Sequence, residues 1–580
     1  MPFFRPSRSS AVPPGIYRLK GRWSWLKRLQ VISSLKNWPS GWAIAAWLTA
    51  ALVFLPVLVV LGSVFADAGE IWAHLAETVL VEYGTNSLVL MVGVSVGVLT
   101  IGVGTAWLVT MCQFPGVRLF EWALLLPLAA PAYLLAYTYT DWLEYYGPVQ
   151  AGLRSLFGWE QATDYWFPTV RSVWGAIAMF TLTLYPYVYM LARVAFIEQS
   201  VCTLEASRSL GCSPWRSFSQ VAVPLARPAI VAGLSLALME TLNDFGTVQY
   251  FSVPTFTTGI YRTWFGMGER VAAAQLSAML MLFVLMLILL ERWSRNRAKY
   301  YQANNSFQTP TVYRLGGGRC WLAFAACALP IGFGLLLPAG LLLQMVWRNL
   351  DGAMGNRFMS LATNSLLLGG MTAAIALLLS LVLAYGQRLN GSRAIRLGVR
   401  LSAMGYGIPG AVIAVGILIP VTRLDNAIAN WGQAIFNRSP GLLLSGTVTA
   451  LIFAYLVRFL AVALSSVESG LGKIRPNLDD AARSLGYTPT HTLIKVHTPL
   501  MTGSLLTAVM LVFVDVMKEL PATLVMRPFN FDTLAVRVYQ YASDERLVEA
   551  AAPALMILLV GLLPVIVLSW QIRQSHQVRQ

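Results

Sequence analysis

Twelve apolar stretches, each long enough to cross a bilayer, recur along this chain and decide its fold class before any motif is considered. They lie near 42–66, 88–111, 119–141, 171–197, 224–245, 271–290, 320–346, 365–385, 397–421, 442–464, 499–520 and 550–570. A hydrocarbon core of ~30 Å takes about 20 helical residues. Within it every backbone N–H and C=O must be satisfied inside the segment, so each run is expected as a helix. The expected fold is an all-α membrane protein with about 12 transmembrane helices. Only 12% of the residues are charged, roughly half the share usual in a soluble protein. The fifth and eleventh runs carry acids, and several runs contain Gly and Pro, which membrane helices tolerate.

The net charge of +16 would point to nucleic acid in a soluble chain. Here its distribution points to a membrane instead. Basic residues cluster before the first run (Arg18, Lys20, Arg22, Lys27) and in the middle connector (Arg292, Arg295, Arg297, Lys299). The loops after the first and third runs are acidic, with Asp67, Glu70, Glu77 and Glu82, then Asp141, Glu144, Glu160 and Asp164. Basic loops stay inside, so both termini are expected in the cytoplasm. Residues 1–40 are basic without a short apolar core and cleavage site, and are expected to be a cytoplasmic segment rather than a signal peptide. Cys112, Cys202, Cys212, Cys320 and Cys327 show no zinc-binding spacing and are expected to pack. His74, His491, His497 and His576 are scattered and form no expected metal cluster.

The chain repeats itself. "EASRSLGCSPWRSFSQVAVP" begins at Glu205 and "DAARSLGYTPTHTLIKVHTP" at Asp480, an offset of 275 residues. "TNSLVL" at Thr85 returns as "TNSLLL" at Thr363, an offset of 278 shared by Pro131 and Pro409. Thr258 and Arg262 match Thr533 and Arg537 at 275. The expected organisation is a first transmembrane domain over 41–300, a cytoplasmic linker over 301–318 and a homologous second domain over 319–580. Six spans per copy is an even number, so both copies insert the same way round and are related by an axis along the membrane normal.

The polar repeat reads as two short helices with a bend. Thr203 can cap a helix that contains Glu205 and ends at Gly211, where glycine permits a left-handed backbone. Ser213-Pro214 starts the next, with Ser as cap and Pro at the first helical position. Asn477, Asp480, Gly486 and Thr488-Pro489 repeat this grammar. Presented twice on the cytoplasmic side, such an element suits a two-fold partner. The bland alternative is that Glu205 and Asp480 merely favour the helix dipole, by ~0.3–1 kcal/mol each.

The spacing resembles the "EAA" loop of ATP-binding-cassette importer permeases. In the first copy it falls on Glu205, Ala206, Gly211, Val221, Val223 and Pro224. In the second it falls on Asp480, Ala481, Ala482, Gly486, Val496 and Pro499. Ser207, Asp480 and Thr498 depart from the pattern, and Asp in place of Glu shortens the reach. The resemblance implies that these loops couple the permease to two copies of a cytoplasmic ATPase. The sequence has no GxxxxGK[ST] phosphate loop, Gly472-Lys473 being followed by Ile474, so ATP is expected on the partner and no cofactor on this chain.

"LYPYVYMLARVAF" (184–196), "DFGTVQYFSVPTFTTGIYRTWFGMG" (244–268) and "MKELPATLVMRPFNFDTLAVRVYQYASDE" (517–545) resemble the fused permeases of ferric iron importers. That resemblance implies a bacterial inner-membrane permease that takes Fe³⁺ from a periplasmic ferric-ion-binding protein. Related permeases carry thiamine, sulfate, phosphonates or polyamines on the same architecture. An ion-driven secondary transporter and a membrane-embedded enzyme are the rivals from other classes. The first would need no ATPase, and the second would need converging His, Asp or Cys side chains.

Four acids bear on the cargo. Glu240 and Asp244 lie four residues apart on one helix face, and Asp515 and Glu519 repeat them at 275. Carboxylates in a membrane span cost ~2.5–3.5 kcal/mol each on insertion scales and usually face a bundle interior or a water path. At ~1.5 Å per residue, Glu240 is expected about 24 Å above Pro224, near the outer mouth. Carboxylate oxygens suit a hard ion such as Fe³⁺. Alternatively Lys518 and Arg537 neutralise Asp515 or Glu519, and Arg262 neutralises Asp244, leaving gate salt bridges or contacts to a donor. Tyr137, Tyr139, Tyr145 and Tyr146 are expected in an interfacial aromatic belt, and Arg193 and Arg458 are expected to snorkel to the cytoplasmic surface.

Overall fold

The computed structural model describes residues 41–67, 69–198, 209–296, 313–349, 356–437 and 441–577. The segment 1–40 and linker residues 301–312 lie outside them. Ten helices are long and apolar enough to cross a membrane, and two bent pairs make twelve if each pair is one span. In the first half the main helices are α1 (Gly41–Gly62), α2 (Leu80–Met111), α3 (Val117–Ala123), α4 (Ala132–Leu143), α5 (Val173–Glu198), α6 (Val223–Asn243) and α7 (Arg270–Asn296). In the second they are α8 (Gly318–Ile331), α9 (Leu337–Arg348), α10 (Asn356–Leu389), α11 (Arg393–Ser402), α12 (Gly410–Phe436), α13 (Val448–Gly472), α14 (Asn477–Ser484), α15 (Thr502–Met517) and α16 (Leu547–Gln577).

Each half is centred on three helices: α2, α5 and α6 in the first, and α10, α13 and α15 in the second. Small residues bring α2 and α5 together. A Cβ on Gly97 would clash with Thr181 Oγ1, and one on Gly102 would lie 3.0 Å from the Tyr185 carbonyl. Lipid supplies no hydrophobic drive between helices, so such close packing does the work of association. The repeat extends to single bonds. Asn86 Nδ2 donates to the Pro254 carbonyl at 2.9 Å, and Asn364 Nδ2 donates to the Asp532 carbonyl at 3.2 Å.

The halves exchange their outer helices. α1 packs on α10, α11 and α12 of the second half. A Cβ on Gly416 would meet the Pro56 carbonyl at 2.5 Å. Reciprocally, α8 and α9 with the turn between them pack on α2, α3, α4 and α5. Tyr139 Oη donates to the Phe333 carbonyl there, at 2.6 Å. α7 and α16 also cross, α7 to α12 and α16 to the turn Leu126–Ala129. The strand Cys112–Gln113 pairs in parallel with Tyr313–Arg314, tying the end of α2 to the entry of the second half.

Three spans differ from the sequence expectation. The third breaks by 87° between Ala129 and Ala132. Pro131 there takes an extended backbone (φ −60°, ψ 143°) and starts α4. The ninth begins at Gly410 rather than near 397, because Pro409 restarts the helix and the amphipathic α11 stands apart from it. The eleventh bends by 83° between Leu500 and Thr502. Its counterpart in the first half runs through without such a bend, from Trp215 to Asn243.

Candidate functional site

Two places carry the polar residues singled out by the sequence. The first is the repeated polar element. Glu205, Ala206 and Thr203 lie outside the described residues. Gly211 and Gly486 take matching left-handed backbones, with φ of 82° and 81°. A Cβ at either would be strained whatever the space around it. Ser213 Oγ accepts from the Arg216 N–H, and Thr488 Oγ1 accepts from the His491 N–H, both at 3.4 Å. Each element then passes through one π-helical turn, Phe218–Ala222 and Leu493–His497, just before Pro224 and Pro499. Asn477 is the first helical residue of α14 rather than its cap, which is Pro476.

Asp480 and its neighbour Asp479 play opposite parts. Asp480 is 73% exposed and, among the described residues, pairs with Arg483 at 3.9 Å. Ala481 is exposed and Ala482 buried. Asp479 points inward, where Arg388 Nη2 holds it at 2.6 Å and His497 Nε2 lies 2.9 Å away. Arg388 also donates to the Leu471 and Ile474 carbonyls at 2.6 and 3.0 Å. The second element is thus clamped to the ends of α10 and α13 by charge. In the described part of the first, Trp107 lies 5.0 Å from Phe218 between ring centroids. Beyond these anchors each copy presents an exposed leucine at the equivalent position, Leu210 at 84% and Leu485 at 76%.

The second place is a chamber of about 90 Å³ between the halves, where ~10–15 Å³ is enough for one water. Glu240, Asp244, Asp515 and Glu519 all line it, with Arg458 and Lys518. The segments Asp244–Gly246 and Lys518–Pro521 line it together with the four acids. Arg458, expected at the cytoplasmic surface, is instead the eleventh of the 25 residues of α13. It is 4% exposed. At ~1.5 Å per residue it stands about 21 Å from Gly472, too deep to snorkel. Arg193 is also buried and pairs with Glu121 at 3.1 Å.

The four acids fall into two kinds. Asp244 Oδ1 accepts from the Thr247 and Val248 N–H groups at 2.8 and 3.3 Å, and Oδ2 accepts from Thr247 Oγ1 at 3.1 Å. Glu519 Oε1 accepts from the Ala522 N–H at 2.8 Å, the equivalent bond in the other half. Its Oε2 pairs with Arg458 Nη1 at 2.7 Å. These two carboxylates cap the short helices that follow them. Glu240 and Asp515 are held more loosely. Glu240 faces Arg458 Nη2 at 3.9 Å, beyond hydrogen-bond distance. Asp515 meets the flexible Lys518 at 2.9 Å.

The anticipated neutralising partners are therefore partly different. Lys518 does pair with Asp515, but Arg537 turns to Asp532 and Gln540. Asp244 has no ion-pair partner among the described residues. Tyr137 and Tyr139 are core side chains at 2% and 4% exposure, not an interfacial belt. Among the described residues no three His, Cys, Asp or Glu side chains converge closely enough to hold a metal ion.

Sequence reasoning misplaced Arg458 and missed Asn243 and Gly410. Asn243 Oδ1 accepts from the Gly410 N–H at 2.7 Å, joining the halves beside the chamber. A Cβ on Gly410 would lie 2.6 Å from Glu519 Oε1 and 2.9 Å from Arg458 Nη1. The signal was available: Arg458 and Lys518 fall 275 residues after Thr183 and Asn243, so the second half carries cations where the first has neutral residues.

Comparison with known proteins agrees with this architecture. The Fe(3+)-transport system permease protein FbpB 2 of Haemophilus influenzae is 26% identical over 493 residues, covering 84% of this chain and 90% of that protein. The molybdenum transport system permease protein ModB of Escherichia coli is 28% identical over 233 residues, 38% of this chain and 96% of that protein. The probable sulfate transport system permease protein cysT of Chlorokybus atmophyticus is 28% identical over 236 residues, 38% of this chain and 76% of that protein. The family described as "binding-protein-dependent transport system inner membrane component" matches twice, over residues 33–299 and 376–576. With both halves matched, this chain belongs to that family, as a fused permease of an ATP-binding-cassette importer.

Proposed function

We propose that this permease carries ferric iron, delivered by a periplasmic ferric-ion-binding protein and driven by two copies of a cytoplasmic ATPase. The observation that carries the reading is the pairing of Glu240 and Asp515. They occupy equivalent positions of the two halves, line one chamber and are the least tightly held of its four acids. Four carboxylates against two cations leave a formal excess of negative charge, and hard oxygen ligands suit a hard cation. Among relatives, the ferric permease of Haemophilus influenzae matches across both halves, whereas the molybdenum and sulfate permeases match 38% of the chain. Arg458 and Lys518 are what favours an oxyanion as a second reading.

In this account the two exposed elements, with Asp480 and Leu485 on one and Gly211 and Leu210 on the other, dock on the ATPase pair. ATP sits on that partner, and both termini of this chain lie in the cytoplasm. Closure of the ATPases moves the two elements, and the π-helical turns beside Pro224 and Pro499 pass the motion to α6 and α15. The chamber then opens to one face at a time. Each step requires a ligand or nucleotide to favour one conformation over the other. The test is uptake of labelled ferric iron, molybdate and sulfate by cells with and without this chain. Loss of ferric uptake alone supports the reading, and loss of molybdate or sulfate uptake with ferric entry intact overturns it.

A further inference from the structure

The chamber's acids are duplicated, but its cations are not. Glu240 and Asp515 correspond, as do Asp244 and Glu519, while Arg458 and Lys518 stand where the first half has Thr183 and Asn243. Asp244 shows that a buried carboxylate here can be satisfied by helix capping alone. Capping therefore does not explain why the second half brings in two cations. Their grip is also uneven. Arg458 is anchored to Glu519 at 2.7 Å yet reaches Glu240 only at 3.9 Å, and its Nε has no hydrogen-bond partner although the side chain is buried. Lys518 keeps 27% of its side chain accessible and can swing away from Asp515.

We infer that Arg458 and Lys518 are built-in counter-ions that stand in for the cargo's charge while the chamber is empty, and that a multivalent cation enters by displacing them from Glu240 and Asp515. This rests on the cation-path reading above. Two requirements of a transport path lead to it. Unpaired carboxylates enclosed by protein are costly, so an empty chamber needs positive charge from somewhere. A site that binds a multivalent cation with bare carboxylates would also hold it too tightly, and conduction requires binding weak enough to release. Tethered cations meet both demands. They neutralise the acids before the cargo arrives, compete with it while bound, and repel it when the chamber opens to the cytoplasm. The two halves then have separate tasks, the first supplying acid and the second supplying acid together with its displaceable counter-ion.

The test uses the full chain in lipid nanodiscs, with Tb³⁺ as a hard, redox-inert trivalent probe. Tyr133, Tyr187 and Tyr406 line the chamber and can sensitise its emission. The lead variant is Lys518→Asn, which installs the first half's residue at an accessible position; Arg458→Thr is the second. Lys518→Asn is expected to bind Tb³⁺ about tenfold more tightly than wild type, ~1.4 kcal/mol in binding free energy. Adding Glu240→Gln and Asp515→Asn should abolish that gain. In cells the same Lys518→Asn permease should show a lower KM for ferric iron and a lower maximal rate, a split that loss of structure alone does not produce. If Lys518→Asn binds Tb³⁺ no more tightly while Glu240→Gln with Asp515→Asn still weakens wild-type binding, the counter-ion role is wrong and the cation path stands. If Tb³⁺ binding never depends on Glu240 or Asp515, both fail.

Discussion

Arg458 Nη1 lies 2.7 Å from Glu519 Oε2, with both side chains 5% exposed or less, in the middle of the protein. Breaking a buried pair strands the surviving charge, which typically costs ~3–5 kcal/mol, whereas replacing both partners by apolar groups is often neutral. Arg458→Met should therefore lower the melting temperature of the purified permease sharply. Arg458→Met with Glu519→Leu should recover most of the loss. Equal melting of the single and double variants would show that the pair is not coupled.

Gly410 is the residue against which that pair is packed. Its missing Cβ leaves room for Glu519 Oε1 and Arg458 Nη1, which would otherwise sit 2.6 and 2.9 Å away. Gly410→Ala should destabilise the protein by ~1–3 kcal/mol, the usual cost of overpacking. The equivalent residue of the first half is already Ala132, which lines the same chamber as the shorter Asp244 and Thr183. Thermal melting of Gly410→Ala against wild type measures the difference.

Adjacent acids in the second polar element should behave differently. Asp479 is clamped by Arg388 and lies beside the buried His497, so Asp479→Asn should cost ~1.5–3 kcal/mol, the worth of a hydrogen bond to a charged group. Asp480 is 73% exposed, and Asp480→Asn should leave melting within about 0.5 kcal/mol of wild type. Glu205→Gln with Asp480→Asn should nonetheless abolish uptake while the permease stays in the membrane. Leu210→Asp with Leu485→Asp should release the ATPase subunits in a pull-down from membranes. Normal uptake by the first pair, or retention of the ATPase by the second, would contradict the docking assignment.

The spans and the duplication were legible because both depend on local pattern. An apolar run declares a helix, and a repeated offset survives divergence at most positions. "TNSLVL" and "TNSLLL" even repeat the same hydrogen bond, through Asn86 and Asn364. The breaks at Pro131 and Leu500 were not legible, because membrane helices often keep a proline without breaking. The ninth span was placed too early because α11 is rich enough in Ile, Leu and Val to extend the apolar run, although its arginines hold it apart. The acids of the chamber were found through the repeat, but their division into capping and loosely held pairs depends on which backbone N–H each one meets. Arg458 was misplaced because the apolar run was ended near 464, whereas the helix continues to Gly472 and leaves Arg458 near its middle, against Glu519 and Glu240. Asp479 was overlooked beside Asp480 for the same reason: one residue of helix rotation separates an anchor from an exposed face.

The most direct measurement is the initial rate of labelled ferric iron entry into cells whose permease carries Glu240→Gln and Asp515→Asn, matched to wild type for membrane level and bound ATPase. The account predicts a fall of about tenfold or more, ~1.4 kcal/mol or greater in the barrier, with the ATPase still attached. An unchanged rate in that double variant would contradict it, because the cargo would then be passing without the two carboxylates that define the path.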